Sequence, residues 1–138
     1  MSGRTALYPL TRQQMVTSAF HWTALNVKIL LMANTYIPDF TNVHLGDVDA
    51  ASIIATSPSI TGLAATDGIC DGDTTDFGVL VDPRVAGSLI FYNDTGTPST
   101  SNLIVFFDTP DLPGMPQVLQ GFDYFVYKNI SFGGWFRP

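Results

Sequence analysis

Apolar residues along this chain fall in short runs, and Gly, Pro, Asn and Asp punctuate them. Near the start, Met15, Val16, Ala19 and Phe20 share one helical face, with Arg12, Gln13, Gln14 and Ser18 opposite. That spacing predicts a helix from Thr11, as its cap, to about His21 or Trp22. It is barely three turns long and needs a surface to pack on. Residues 1–10 before it carry little pattern and read as an arm.

After the helix the pattern is that of strands. Residues 27–33 form an apolar run between Asn26 and Asn34, with Lys28 near its start suggesting one wet face. Residues 34–49 hold Pro38, Asp39, Asn42, Gly46, Asp47 and Asp49 and read as a long loop pinned by Tyr36, Phe40, Val43 and Leu45. A connection of that length often carries an interaction surface. Strands are expected at 52–57, which Pro58 stops, and at 60–66, broken by Gly62, with a turn over 67–73. Further strands are expected at 74–81, ended by Asp82-Pro83, and at 85–92. Residues 102–107 return as the partner of 85–92, so the two make a hairpin around the polar loop 93–101. Pro110, Pro113, Gly114 and Pro116 make 108–121 an irregular connection. A final hairpin is expected over 122–128 and 130–136.

Seven to nine short strands with one short N-terminal helix predict an all-β domain, a β-sandwich or jelly roll. With 138 residues the chain is long enough for one such domain, 11–138, behind the arm 1–10. Composition sharpens this. Only 13% of residues are charged, and all twelve acids are Asp, with no Glu. Asp favours turns and caps, whereas Glu and Lys favour exposed helix, so long solvated helices are not expected.

The formal net charge of −6, with Lys28, Lys128, Arg4, Arg12, Arg84 and Arg137 scattered along the chain, argues against nucleic acid and anionic membranes as partners. No signal peptide and no spanning run are visible, which predicts a protein made in a cytosol. The sequons at Asn93 and Asn129 then read as chance matches. Cys70 is the single cysteine and reads as a small buried filler.

Candidate chemistry is sparse. Asp67, Asp71, Asp73 and Asp76 lie in one Gly-rich stretch and are a weak calcium candidate, because hard cations want several oxygens from one loop. The stretch departs from an EF-hand loop, and solvated turn residues are the simpler reading. His21 and His44 with Cys70 make a poor zinc set. No nucleophile elbow or phosphate loop is present, so no enzyme activity and no cofactor are expected. Trp22, Tyr36 and Trp135 are the aromatic side chains that would serve a sugar-binding face. Aromatic residues crowd the C-terminal tail, more than one core face needs. The crowding fits a second sheet packed behind or a subunit interface, for which Tyr8, Tyr36, Phe40, Phe132, Trp135 and Phe136 are the candidates.

The order of short motifs resembles a family of small structural proteins of tailed bacteriophages. The likeness runs through the early helix and Asn26-Val27-Lys28-Ile29-Leu30-Leu31-Met32, then Tyr36-Ile37-Pro38-Asp39-Phe40 and Leu45-Gly46-Asp47-Val48. It resumes at Asp67-Gly68-Ile69-Cys70-Asp71-Gly72-Asp73 and at Ser88-Leu89-Ile90-Phe91-Tyr92-Asn93-Asp94-Thr95-Gly96. Asn102-Leu103-Ile104-Val105-Phe106-Phe107-Asp108-Thr109 and the terminal Gly133-Gly134-Trp135-Phe136-Arg137 complete it. The resemblance implies a non-enzymatic virion component, with no catalytic residues to carry over. The favoured role is a capsid decoration or cement subunit on the head exterior, assembled in the host cytoplasm and trimeric, with the major capsid protein or other virion subunits as partners. On that reading the arm 2–10 clamps a neighbour. A head–tail connector, a tail or fibre-attachment component, and a carbohydrate- or receptor-binding β-sandwich module stay open as alternatives.

Overall fold

The computed structural model describes residues 5–109, 115–126 and 135–136. It shows a β-rich domain with eight strands and one short helix. In chain order these are β1 (Ala6–Leu7), α1 (Pro9–Val16), β2 (Val27–Ala33), β3 (Ile53–Thr56), β4 (Ala64–Thr66), β5 (Ile69–Asp71), β6 (Thr75–Asn93), β7 (Leu103–Phe107) and β8 (Gln117–Val126). Single 3-10 turns occur at Trp22–Ala24, Leu45–Asp47 and Ala50–Ser52.

The sheet is organised around β6. Its C-terminal half pairs with β2 on one edge and β7 on the other, and the order across the sheet is β1-β7-β6-β2-β3. Its N-terminal half pairs with β8, from Thr75↔Val126 to Ala86↔Gln117. Ala86 also faces Ala33 of β2, so β8 lies on the edge that β7 occupies further along. All pairings are antiparallel.

Both faces of the central sheet are covered, and this explains the unbroken apolar runs. On one face Ile29, Leu31, Leu89, Phe91 and Phe107 pack with Trp22, Cys70, Trp135 and Phe136. On the other, Leu30, Met32, Ile90, Leu103 and Phe106 pack under Tyr8, Tyr36 and Val48. A strand alternates polar and apolar only when one of its faces is wet. The wet face suggested by Lys28 is therefore absent beyond that residue. Lys28 stands at the sheet end, where its Nζ reaches Asp94 Oδ2 at 2.8 Å.

That ion pair has a pH consequence. Bonding from Lys28, then from the Gly96 N–H, holds the Asp94 carboxyl below the ordinary value of 3.8. The stabilisation is thus complete above the unfolded-chain value and is lost as pH falls through the lower folded value. Asp94→Asn is expected to be less stable than the parent at pH 7. The difference should shrink below about pH 4, followed by urea unfolding across pH.

Three expectations need correction. First, the segment read as an arm is part of the domain from Ala6 onward. Ala6 and Leu7 pair with Phe106 and Val105, the Tyr8 N–H donates to the Ile104 carbonyl, and Tyr8 is wholly buried. Residues 6–10 of the expected arm are thus built into the domain and not free to clamp a neighbour, and 2–4 lie outside the described residues. The helix accordingly starts at Pro9, which suits a first helical position, and Thr11 is not its cap. Thr11 is buried, with its hydroxyl donating to the Leu103 carbonyl at 2.8 Å.

Second, Asp82-Pro83 does not end a strand, and β6 runs through it. The register slips between Asp82 and Val85, and Asp82 Oδ1 accepts the Arg84 N–H at 2.8 Å. A bulge is where a sheet tolerates proline, and here a side chain takes up the backbone donor beside it. Third, the connection read over 108–121 becomes strand at Gln117. Of the expected final hairpin, 122–126 belongs to β8, while 127–134 lies outside the described residues.

Candidate functional site

The four aspartates of the calcium candidate do not converge. Asp67 and Gly68 form the two-residue turn between β4 and β5, both with positive φ, at 53° and 76°. That is the backbone an Asp-Gly hairpin turn requires. Asp71 lies at the far end of β5, about 10 Å of strand away, and its carbonyl accepts the Trp22 indole N–H at 2.8 Å. Asp73 Oδ2 accepts from the Thr61 hydroxyl at 2.8 Å, and Asp76 Oδ1 accepts the Gly78 N–H at 2.7 Å. Asp76 thus braces its own turn, while Asp73 ties its loop to the segment around Thr61. Among the described residues no group of three or more His, Cys, Asp or Glu side chains is placed to hold a metal ion.

The histidines are held apart. His21 lines an apolar pocket of about 420 Å³ with Met15, Phe20, Trp22, Ile69 and Cys70, and no carboxylate joins it there. Burial pushes the Cys70 thiol up to about 11, which keeps it protonated at neutral pH. His44 caps the 3-10 turn Leu45–Asp47 reciprocally. Its carbonyl accepts the Asp47 N–H at 2.9 Å, and Asp47 Oδ2 accepts the His44 N–H at 3.0 Å. Neither histidine shares a bond with a serine.

Those interface candidates that lie among the described residues pack within the chain. Tyr8, Tyr36, Trp135 and Phe136 are buried. Phe40 is half-buried, its ring 5.3 Å from Tyr8 and 6.1 Å from Phe106. Phe132 lies outside the described residues. A sheet covered on both sides takes up Tyr8, Tyr36, Trp135 and Phe136 of these candidates. Trp22 and Trp135 are buried too, so neither offers a stacking platform beside Asp67–Asp76.

What the fold does present is a ribbon. From Thr75 to Val85, β6 has β8 as its ladder partner among the described residues, and the register slips three times along their length. Phe77, Leu80 and Leu119 turn inward to the core. Val79, Val81 and Val118 turn outward and are 65%, 78% and 53% exposed. Val118 lies two residues from Gln120, the partner of Val81, so the three valines share one face. The ribbon's edge is blunted against strand addition. Pro83 lacks an N–H, and the N–H groups of Gly78 and Arg84 are held by Asp76 and Asp82.

A second surface feature lies in the long loop. Tyr36, Ile37, Asp39, Asp47, Asp49 and Ser52 line a polar cup of about 340 Å³. Asp39 Oδ1 accepts from the Thr41 hydroxyl at 2.6 Å and from the Thr41 N–H at 2.9 Å. Asp47 Oδ2 accepts from Val43 and His44, and Asp49 accepts from Ala51 and Ser52. The Thr41 hydroxyl first, and the His44 N–H first, hold the Asp39 and Asp47 carboxyls below the ordinary range. The sequence marked this loop as an interaction surface but did not join its three acids. Their crowding into eleven residues, 39–49, was the available signal.

Compared with known proteins, the chain matches no family model and no curated sequence. No helix among the described residues is long and apolar enough to cross a membrane.

Proposed function

We propose that this chain is a virion structural subunit of the capsid-decoration type, a β-sandwich that attaches through the outer face of the β6–β8 ribbon. The observation carrying this reading is the row Val79, Val81 and Val118, which gathers on one face three of the exposed large apolar side chains among the described residues, Val16 and Ile37 being the scattered others. Apolar side chains gathered on one face mark an attachment surface, whereas scattered ones need no explanation. The dispersed histidines and locally bonded aspartates favour a non-catalytic role. The resemblance of its motif order to that of small phage structural proteins supplies the context.

Three valine side chains cover far less than the roughly 800 Å² per partner of a stable pairwise interface. Attachment on this reading is therefore multivalent, on a lattice that repeats the contact. A subunit that binds the assembled lattice and not its dissociated parts raises lattice stability by mass action. The test adds purified chain to assembled heads and to unassembled head subunits. Attachment to assembled heads and a higher head melting temperature are expected. Val79→Asp/Val81→Asp should cut attachment at least tenfold while leaving the urea midpoint of the free chain within experimental error. Undiminished attachment by the double variant would remove the ribbon from this role.

A further inference from the structure

We infer that the open edge of β4 is a docking site for an extended segment of a partner protein, which adds to it as a further strand. The segment carries one large apolar residue between basic neighbours, and that residue enters the pocket between the β4–β5 hairpin and Phe20–Thr23. The site is separate from the ribbon and does not rest on the proposed attachment.

The argument begins with backbone groups. In an antiparallel pair, two opposed residues either exchange both hydrogen bonds or turn their groups away from each other. Ala65 stands opposite Cys70. The Cys70 N–H donates to the Phe136 carbonyl at 2.8 Å, and the Cys70 carbonyl accepts the Trp135 N–H at 2.8 Å. Both groups of Cys70 thus face away from β4. The N–H and carbonyl of Ala65 therefore point out from the free side of β4, where they meet no partner among the described residues. Ala64, Ala65 and Thr66 are all exposed, with no charge, proline or bulge among them.

The other edges are closed. β1 is two residues long and runs into α1. β3 carries a bulge, because its register passes from Leu31↔Ala55 to Met32↔Ile53. Beside that bulge the Arg84 guanidinium donates to the Ala51 carbonyl at 2.6 Å and to the Ile53 carbonyl at 3.4 Å. The ribbon's edge is blunted by Asp76, Asp82 and Pro83. Such devices keep foreign strands from adding to a sheet, and β4 has none of them beyond its shortness. Backbone bonds to so short a strand give little by themselves, and the pocket beside it supplies the rest.

Strand alternation sets the chemistry of the segment. A residue paired with Ala65 places its side chain on the face that Ala65 occupies. Ala65 lines the pocket of about 420 Å³ together with Met15, Phe20, Trp22 and Ile69, so that side chain is large and apolar. The residues before and after it turn to the opposite face. There Ala64, Thr66, Asp67 and Asp71 line a hollow of about 200 Å³. The hairpin 64–71 holds no basic residue, so basic neighbours complement it. The same charges disfavour a second copy of this chain. Pairing β4 with itself about a two-fold axis would gather Asp67 and Asp71 of both chains on one short ribbon.

The test titrates the intact ¹⁵N-labelled chain with the peptide acetyl-Thr-Lys-Phe-Lys-Thr-amide and follows amide chemical shifts. Saturable shifts confined to residues 20–23 and 63–71 are expected. Methylating the peptide's Phe nitrogen, which removes the donor facing the Ala65 carbonyl, should weaken binding about fivefold or more. Replacing that Phe by Ala should weaken it about tenfold or more. Exchanging both Lys for Glu should abolish saturation. Ala65→Pro, which removes the edge N–H, should also weaken binding, and the methylated peptide reads the same bond with the protein untouched. Val79→Asp/Val81→Asp should change binding less than twofold, which separates this site from the ribbon. Equal binding by the methylated peptide would reduce the site to a pocket and overturn strand addition. Absent saturation, or shifts spread over the surface, would overturn the site. Concentration-dependent shifts of the same amides without peptide would make the occupant a second copy and overturn the partner.

Discussion

Replacing Phe91 by alanine is expected to remove about 3–5 kcal/mol of stability, a large share of the roughly 5–15 kcal/mol that holds a domain of this size together. Phe91 is fully buried near the C-terminal end of β6, between β2 and β7. Its ring lies 5.0 Å from Trp135, 5.3 Å from Phe107 and 6.5 Å from Phe136. Three of its neighbours are therefore rigid rings from β7 and from the C-terminal end. Rigid neighbours collapse poorly into a void, and that places the loss toward the high end of what an aromatic deletion costs. Equilibrium unfolding in urea measures it, with an unchanged slope expected. Phe91→Leu should recover part of the loss by refilling the volume. A loss below 1 kcal/mol for the alanine variant would mean that the ring is not enclosed as described.

The second large effect is expected at Gly87. A Cβ there would stand 2.5 Å from both the Cα and the Cβ of Asn34. Gly87 lies where the register between β2 and β6 slips, between the pairs Met32↔Ser88 and Ala33↔Ala86. The Asn34 N–H donates to the Val85 carbonyl at 2.7 Å across the same junction. The obstacle is main chain, which cannot rotate aside as a flexible side chain would. Gly87→Ala should therefore cost about 3 kcal/mol, the upper part of the range for overpacking. Its mark should be faster amide exchange at the β2 end and in the Asn34 turn. Gly68, whose φ is positive where that of Gly87 is not, has open space about its Cβ position, so Gly68→Ala tests conformation without collision.

These two residues also show where sequence reasoning reaches and where it stops. The run 27–33 emerges at the same bounds as β2, since uninterrupted apolar β-formers between two asparagines have few other uses. The hairpin of 85–92 with 102–107 is likewise recovered within β6 and β7. The passage of β6 through Pro83 is not legible, because it depends on a bulge and on Asp82 accepting its own strand's N–H. Nor is the burial of Tyr8, which depends on a bond to Ile104, some hundred residues on in the chain. Surplus aromatics point either to a second covered layer or to an interface, and both faces of the sheet prove covered, by Tyr8 and Tyr36 on one and by Trp135 and Phe136 on the other. The acidic stretch 67–76 drew attention by density, but a hairpin spreads such residues along its length. Asp39, Asp47 and Asp49 are less dense in sequence and are brought together by a folded-back loop.

The central place of β6 carries a consequence for biosynthesis. β2 pairs with β6 and β3, β1 pairs with β7, and Tyr8 hangs on Ile104. A ribosome releasing this chain would deliver β2, apolar on both faces, long before the strands that cover it. Stable partial structure must wait until β7 has left the exit tunnel. Chains truncated shortly before Leu103 should thus be insoluble or chaperone-bound, while folding begins with the pairing of distant segments and is slow for that reason. The interval between those two events is the period in which the nascent protein is most exposed to aggregation.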